Sequence, residues 1–186
     1  MNSTKIQVHG GHVIDPINPD PNDIFIEDIA HALSMQCRYS GHTNEFYSVA
    51  EHSVRTSYIV PPEDALDALG HDMSEYALVD VPSPLKNSLF GEQYRVVEKR
   101  LMYVISKKYG FRSEMPESVK IADNIMLATE VRDLLTPMDP TKNDLWGPWL
   151  KHTALPEKIV PMSPREARNA FLMRFWTLTR KENYDL

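Results

Sequence analysis

The chain has 186 residues, a formal net charge of -6 and one cysteine, Cys37, so it suits one domain over residues 1–186 with a sizeable core, and an intrachain disulfide framework is excluded. The acidic balance excludes a duplex nucleic-acid partner, whose phosphates the overall field repels, while a small anion in a local basic pocket stays compatible. With no apolar run of spanning length and no charged-then-apolar leader, the expectation is a soluble protein of a reducing cytoplasm with no membrane partner.

In chain order, Lys5-Ile6-Gln7-Val8, Gly10-Gly11 and Val13-Ile14 predict a short β-hairpin with a Gly-Gly turn, appended to a helical body. After a Pro-rich stretch, Ile29, Ala30, Leu33 and Met35 recur at near-helical spacing and predict a first helix over about Glu27 to Gln36, with Asp28 able to cap it. Cys37 to Tyr47 breaks that periodicity and reads as a loop. Ser48-Val49-Ala50-Glu51 is a capping-box pattern, which starts a second helix that runs to about Ile59 before Pro61-Pro62.

Ala65, Leu66, Ala68, Leu69, Met73 and Tyr76 predict a third helix that continues through His71-Asp72 and stops at Pro82-Ser83-Pro84. Tyr94, Val97, Leu101, Ile105 and Tyr109 share one face of a fourth, from about Glu92 to Tyr109. A fifth, from about Glu117 to Leu135, is apolar almost all round, which predicts a central position. A long Pro-rich stretch, 136–162, carries Trp146 and Trp149. Ser163-Pro164-Arg165-Glu166 is a second capping box and opens a C-terminal helix with Ala167, Phe171, Phe175 and Leu178 on its apolar side. The sum is an all-α bundle with a short N-terminal β-hairpin and no internal repeat.

Within the third helix, His71, Asp72 and Glu75 gather metal-active and proton-active groups into one turn, since helical residues advance by about 100° each. His52 shares a stripe with Val49, Thr56 and Ile59, so its imidazole faces the core, either as a buried neutral histidine or as a ligand. Asp123 lies on the stripe of Leu127 and Leu134, where a carboxylate is protonated, pairs with Lys120, or binds a cation. As a set, the two histidine nitrogens and two aspartate oxygens suit a first-row divalent metal such as Mn, Co, Fe or Zn.

The order His52, His71-Asp72, Asp123, with the strings Tyr47-Ser48-Val49-Ala50-Glu51-His52-Ser53 and His71-Asp72-Met73-Ser74-Glu75, resembles the HD-domain metal-dependent phosphohydrolases. It is most similar to bacterial 5′-deoxynucleotidases and small phage-type dATP triphosphohydrolases, over roughly Asp28 to Leu135. The resemblance implies that His52, His71, Asp72 and Asp123 hold the catalytic metal, that Asp72 and Glu75 are catalytic, and that Glu75 orients or deprotonates the attacking water. It further implies that Arg38 contacts phosphate, that Asp80 lies near the sugar, and that Lys86 and Lys120 bind phosphates. Tyr39, beside Arg38, is either a base-stacking residue or an ordinary core tyrosine.

Gly70 and Met73 depart from the family pattern, which carries a bulky aliphatic residue and an alanine there. His42 reads as a turn residue. Glu130 either reaches the site or pairs with an arginine, and Trp146 and Trp149 either cover the pocket or pack an interface. His9, His12, His31 and His152 have no usable partner spacing. The resulting expectation is hydrolysis of dATP to deoxyadenosine and triphosphate, because Arg38, Lys86 and Lys120 are more cations than one monophosphate needs. The rival expectations are a 5′-deoxynucleotidase acting on monophosphates and a non-catalytic metal- and nucleotide-binding module. The resemblance also implies a second metal such as Mg with the polyphosphate, a homo-oligomer, and a setting in a bacterial or phage-infected cytoplasm.

Overall fold

A computed structural model describes residues 3–89, 91–139, 146–147 and 151–180. Two strands, β1 (Ile6–Gln7) and β2 (Val13–Ile14), pair antiparallel with Ile6 opposite Ile14. Gly11 closes their turn at φ 82°, a conformation that costs glycine little because it has no Cβ. The helices are α1 (Ile26–Met35), α2 (Val49–Thr56), α3 (Ala65–Gly70), α4 (Glu75–Leu78), α5 (Ser83–Lys86), α6 (Gly91–Tyr109), α7 (Glu117–Leu134) and α8 (Pro164–Thr179). No helix among the described residues is long and apolar enough to cross a membrane.

Local chemistry accounts for the element starts. Ser163 Oγ accepts the Glu166 amide while the Glu166 carboxylate accepts the Ser163 amide, a complete capping box with Pro164 at the first helical position. At α2 only half of the box forms. Ser48 Oγ accepts the Glu51 amide at 3.1 Å, but the fully buried Glu51 carboxylate accepts instead from Arg55 Nε at 2.9 Å and from the Met162 amide at 2.8 Å. A buried carboxylate takes the partners that tertiary packing offers, so Glu51 ties α2 to the chain entering α8.

The core is built around α8, not α7. Phe171 and Phe175 are buried between α1, α2 and α3, and Leu101 and Ile105 of α6 join the same cluster. Truncating a phenylalanine so placed costs about 3–5 kcal/mol. By contrast, α7 packs on α2 and closes a smaller cluster of Tyr47, Met126, Leu134 and Ile159, and leaves Ile121 exposed. Its all-round apolar character serves a cleft wall as well as the core, which is why it is less central than the sequence predicts.

Asp28 does not cap α1, whose preceding residue is Phe25. Its buried carboxylate accepts the Gly10 amide at 2.5 Å and sits 2.7 Å from His12 Nδ1, so it clamps the hairpin onto the bundle. His12 stacks on Phe25, and His9 stacks on His31.

The predicted third helix is interrupted where the chemistry lies. After α3 ends at Gly70, residues 71–74 form tight turns, with the Met73 amide bonded to the Gly70 carbonyl and the Glu75 amide to the Asp72 carbonyl, both at 3.0 Å. Gly70 is helical but has no room for a side chain, because a Cβ would stand 2.7 Å from the Phe111 ring. Phe111 occupies the space that a larger residue at position 70 would take.

Candidate metal centre

Three elements bring the predicted ligands together. His52 projects from α2, fully buried; His71 and Asp72 come from the turn after α3; Asp123 comes from α7. One ligand atom each from His52, His71 and Asp72 lies within 4.8 Å of the others, a group that can hold a metal ion. His52 Nε2 is 3.2 Å from His71 Nε2 and 3.1 Å from Asp123 Oδ1, and His71 Nε2 is 3.2 Å from Asp72 Oδ2.

The outer ring nitrogens decide what faces inward. His52 Nδ1 is 2.6 Å from Glu130 Oε1, and His71 Nδ1 is 2.6 Å from the Ala68 carbonyl. Both partners are acceptors, so both Nδ1 atoms donate. In the neutral tautomers, both Nε2 lone pairs then face each other and two carboxylate oxygens, an assembly of donor lone pairs that a proton or a metal ion can occupy. The histidine affinities show the same demand. Burial and Arg38 lower the affinity of His52 for a proton, but Glu130 and Asp123 outweigh them and raise it. Burial likewise opposes charge on His71, yet Asp72 lifts it to about 9. Burial works against ionisation of Asp72 and Asp123 too, and the histidines nevertheless hold both below the usual carboxylate range.

Glu130 is the centre of the supporting network. Besides His52, it accepts from Tyr39 Oη at 2.7 Å and from Arg38 Nε at 3.3 Å, entirely out of solvent. Burial would raise its pKa, but Arg38 and His52 hold it at about 2. Both alternatives for this residue are realised, since it reaches the site and pairs with an arginine. Arg38 Nη1 also stands 3.6 Å from Asp72 Oδ2. Tyr39, Ser40 and Gly41 all have positive φ, at 56°, 53° and 80°. A left-handed run through two residues with side chains is strained, and Glu130 holds it in place.

The chain's similarities now bear on this geometry. It is 44% identical over 163 residues to the uncharacterized protein YfdR of Escherichia coli, covering 87% of this chain and 86% of that protein. The chain belongs to the YfdR family. A second relative, the uncharacterized protein RCAP_rcc00048 of Rhodobacter capsulatus, is 31% identical over 186 residues, covering 91% of this chain and 93% of its own length. No family model matches the chain.

In this YfdR-family chain two clefts flank the candidate ligands. One, about 700 Å³ with its open mouth, is lined by Arg38, Tyr39, Asp80, Pro84, Leu127 and Trp146. Trp146 thus lines the pocket, edge-on to Tyr39, whereas Trp149 lies outside the described residues. The other cleft, about 1350 Å³ with its mouth, has His71 and Asp72 in its wall together with Lys86, Lys99 and Lys120.

Not every predicted contact forms. Lys120 does not pair with Asp123, because its exposed ammonium is 3.4 Å from Glu117 Oε2 while Asp123 is engaged by His52. Lys86 is not a free cation but sits 2.9 Å from Glu75 Oε1 and 2.8 Å from Glu98 Oε1. Glu75 is buried, with Oε2 lacking a hydrogen-bond partner among the described residues. Burial, then Asp72 and Asp80, push its pKa well above the ordinary glutamate value despite Lys86. Asp80 is raised as well, chiefly by burial. His42 is an exposed turn residue whose amide bonds the Tyr39 carbonyl. The residue that sequence reasoning missed is Gln36, whose amide donates to the Glu75 carbonyl at 2.9 Å and accepts the Asp80 amide at 3.1 Å. A lone glutamine after a helix carries no local signal of that role.

Proposed function

We propose that this chain is a metal-dependent phosphohydrolase of the HD-domain kind, acting on a purine deoxynucleoside triphosphate and converting dATP to deoxyadenosine and triphosphate. The observation that carries the reading is the convergence of His52 Nε2, His71 Nε2 and the Asp72 and Asp123 oxygens, with both outer histidine nitrogens already committed to acceptors. That donor set fits a divalent transition metal such as Co, Mn, Zn or Fe. Held by these four residues, such an ion would supply Lewis acidity toward the phosphoryl group and the attacking water.

The remaining chemistry falls to the chain's own groups. Water attacks the α-phosphorus, the bond from phosphorus to the 5′ oxygen breaks, and that oxygen takes a proton from solvent and leaves as the nucleoside hydroxyl. Glu75 accepts the water's proton through the carboxylate whose Oε2 has no partner among the described residues. The Arg38 fork takes phosphate oxygens beside Asp72. Asp80 meets the sugar, Tyr39 and Trp146 offer faces for the base, and Lys86 and Lys120 flank the polyphosphate with any accompanying Mg.

One observation favours a second reading, a 5′-deoxynucleotidase. With Lys86 shared between two carboxylates and Lys120 turned to Glu117, Arg38 is left, among the described residues, as the cation nearest the ligands. Product analysis by chromatography and mass, after incubation with dATP, dGTP, dAMP and ATP and each of Co, Mn and Zn, separates the two. Deoxyadenosine with intact triphosphate is the expected result. Turnover of dAMP alone moves the assignment to the nucleotidase, and silence on all substrates refutes both in favour of a binding module.

A further inference from the structure

The segment joining α4 to α6 borders both clefts. Asp80 and Pro84 face the apolar one and Lys86 the lysine-lined one. Among the described residues, three side chains of α6 fasten it. Tyr94 Oη donates to the Val79 carbonyl at 2.6 Å, Arg95 donates to the Lys86 carbonyl, and Glu98 Oε1 accepts from Lys86 Nζ at 2.8 Å. Its first residue, Val79, has φ 63° and ψ 155°, a conformation that a β-branched side chain resists. The fastening therefore works against local strain.

Of these fastenings, the Glu98 contact is the one that uses a group the cleft would need for an anion. Lys86 carries one positive charge and is shared between the carboxyl groups of Glu75 and Glu98. Glu75 is buried, while the Glu98 side chain is 23% exposed and lines the cleft with Lys86. A phosphate oxygen is an acceptor of the same kind as a carboxylate oxygen and can take its place on an ammonium donor.

Building on the polyphosphate reading above, we propose that Glu98 gates the lysine-lined cleft: its carboxylate stands in for a phosphate on Lys86 in the free protein and yields Lys86 to a bound polyphosphate. Glu98 thereby sets a threshold for which anions enter. An oligophosphate, which can engage several lysines at once, overcomes the competition; orthophosphate does not.

The test is calorimetric titration of inorganic tripolyphosphate, and separately orthophosphate, into the Mn-loaded protein and its variants at fixed ionic strength. Glu98→Gln is expected to bind tripolyphosphate about tenfold more tightly, the effect of removing one competing charge from a partly buried site. Glu98→Asp keeps the charge but withdraws it from Lys86, and is expected to show part of the gain. In a Lys86→Met background the Glu98→Gln substitution should make no difference to binding, and Glu114→Gln, which removes a carboxylate from the same cleft wall away from Lys86, should give a smaller change. Melting curves of each variant confirm that the fold is kept. Unchanged or weaker binding by both Glu98 variants, an equal gain in the Lys86→Met background, or no tripolyphosphate binding by any variant overturns the gate. Failure of the catalytic reading looks different, with gated tripolyphosphate binding intact and no nucleotide turned over.

Discussion

Replacing Glu130 by glutamine exchanges one oxygen for an amide, and the structure fixes what that does. Oε1 accepts from His52 and Oε2 from both Tyr39 and Arg38, so every partner is a donor. Glutamine has one acceptor and one donor end, so one side of the network must meet donor with donor. If the amide faces His52, the imidazole has to move its proton to Nε2, the nitrogen turned toward Asp123 and His71, and that ligand is lost. If it faces the other way, Tyr39 and Arg38 lose their acceptor, and among the described residues Arg38 keeps the longer 3.6 Å ion pair with Asp72.

Each buried hydrogen bond to a charged group is worth about 1.5–3 kcal/mol, and an unpaired buried charge costs more, so a loss of about 3–5 kcal/mol is expected. Removing the orienting partner of a ligating histidine lowers metal affinity by roughly 10–100-fold. Urea unfolding followed by circular dichroism, and chelator competition for Co or Mn, measure the two effects. Parental stability within about 0.5 kcal/mol together with unchanged metal affinity would refute the orienting role of Glu130.

Asp72→Ala removes an oxygen shared by the histidines and Arg38, and is expected to abolish turnover; activity within about tenfold of the parent sinks the metal assignment. Glu75→Ala should keep nucleotide binding while lowering kcat by about 100-fold or more, which single-turnover kinetics at saturating substrate can check. Gly70→Leu should destabilise the fold by about 2 kcal/mol or more in a melt, since its first side-chain atom already collides with Phe111, and pairing it with Phe111→Ala should restore part of the loss. In metal-free protein, Glu130 is held at about 2 against an ordinary 4.5, so the unfolded chain takes up that proton first; the stability it contributes is full above pH 4.5 and lost as pH falls through 2. His71, raised from 6.5 to about 9, contributes stability that is full below pH 6.5 and lost as pH rises through 9. Unfolding curves from pH 2 to 10 with and without Co should show the alkaline decline only without metal, and a flat metal-free profile refutes both shifts.

Much of the fold was legible because its signals are local. The stripe of α1, the proline stops and the capping pattern before α8 each depend on residues a turn or less apart, and all have counterparts in the structure. The ligand candidates were legible for a related reason: His52 and Asp123 are ionisable residues set in apolar stripes, and such residues are costly unless something pairs or ligates them. What the stripes could not say was which helix would be central. Apolar character around α7 and on one face of α8 looked the reverse of their final places, because burial depends on which faces meet, not on how apolar a helix is alone.

By itself, then, the sequence determined most of the helices, though not the break after Gly70 or the short α5, and the identity of the histidines and carboxylates able to meet. Tertiary structure alone decided their partners. Arg38 and Glu130 are 92 residues apart, His52 and Glu130 are 78, and Gln36 and Glu75 are 39, so no local rule links them. It also decided that Glu51 would serve Met162 and Arg55 instead of the amide that opens its helix, and that Lys86 would be shared by Glu75 and Glu98 instead of standing free. The reason is common to all these cases. A buried polar group must find a partner wherever the fold places one, and that position is a property of the packed chain.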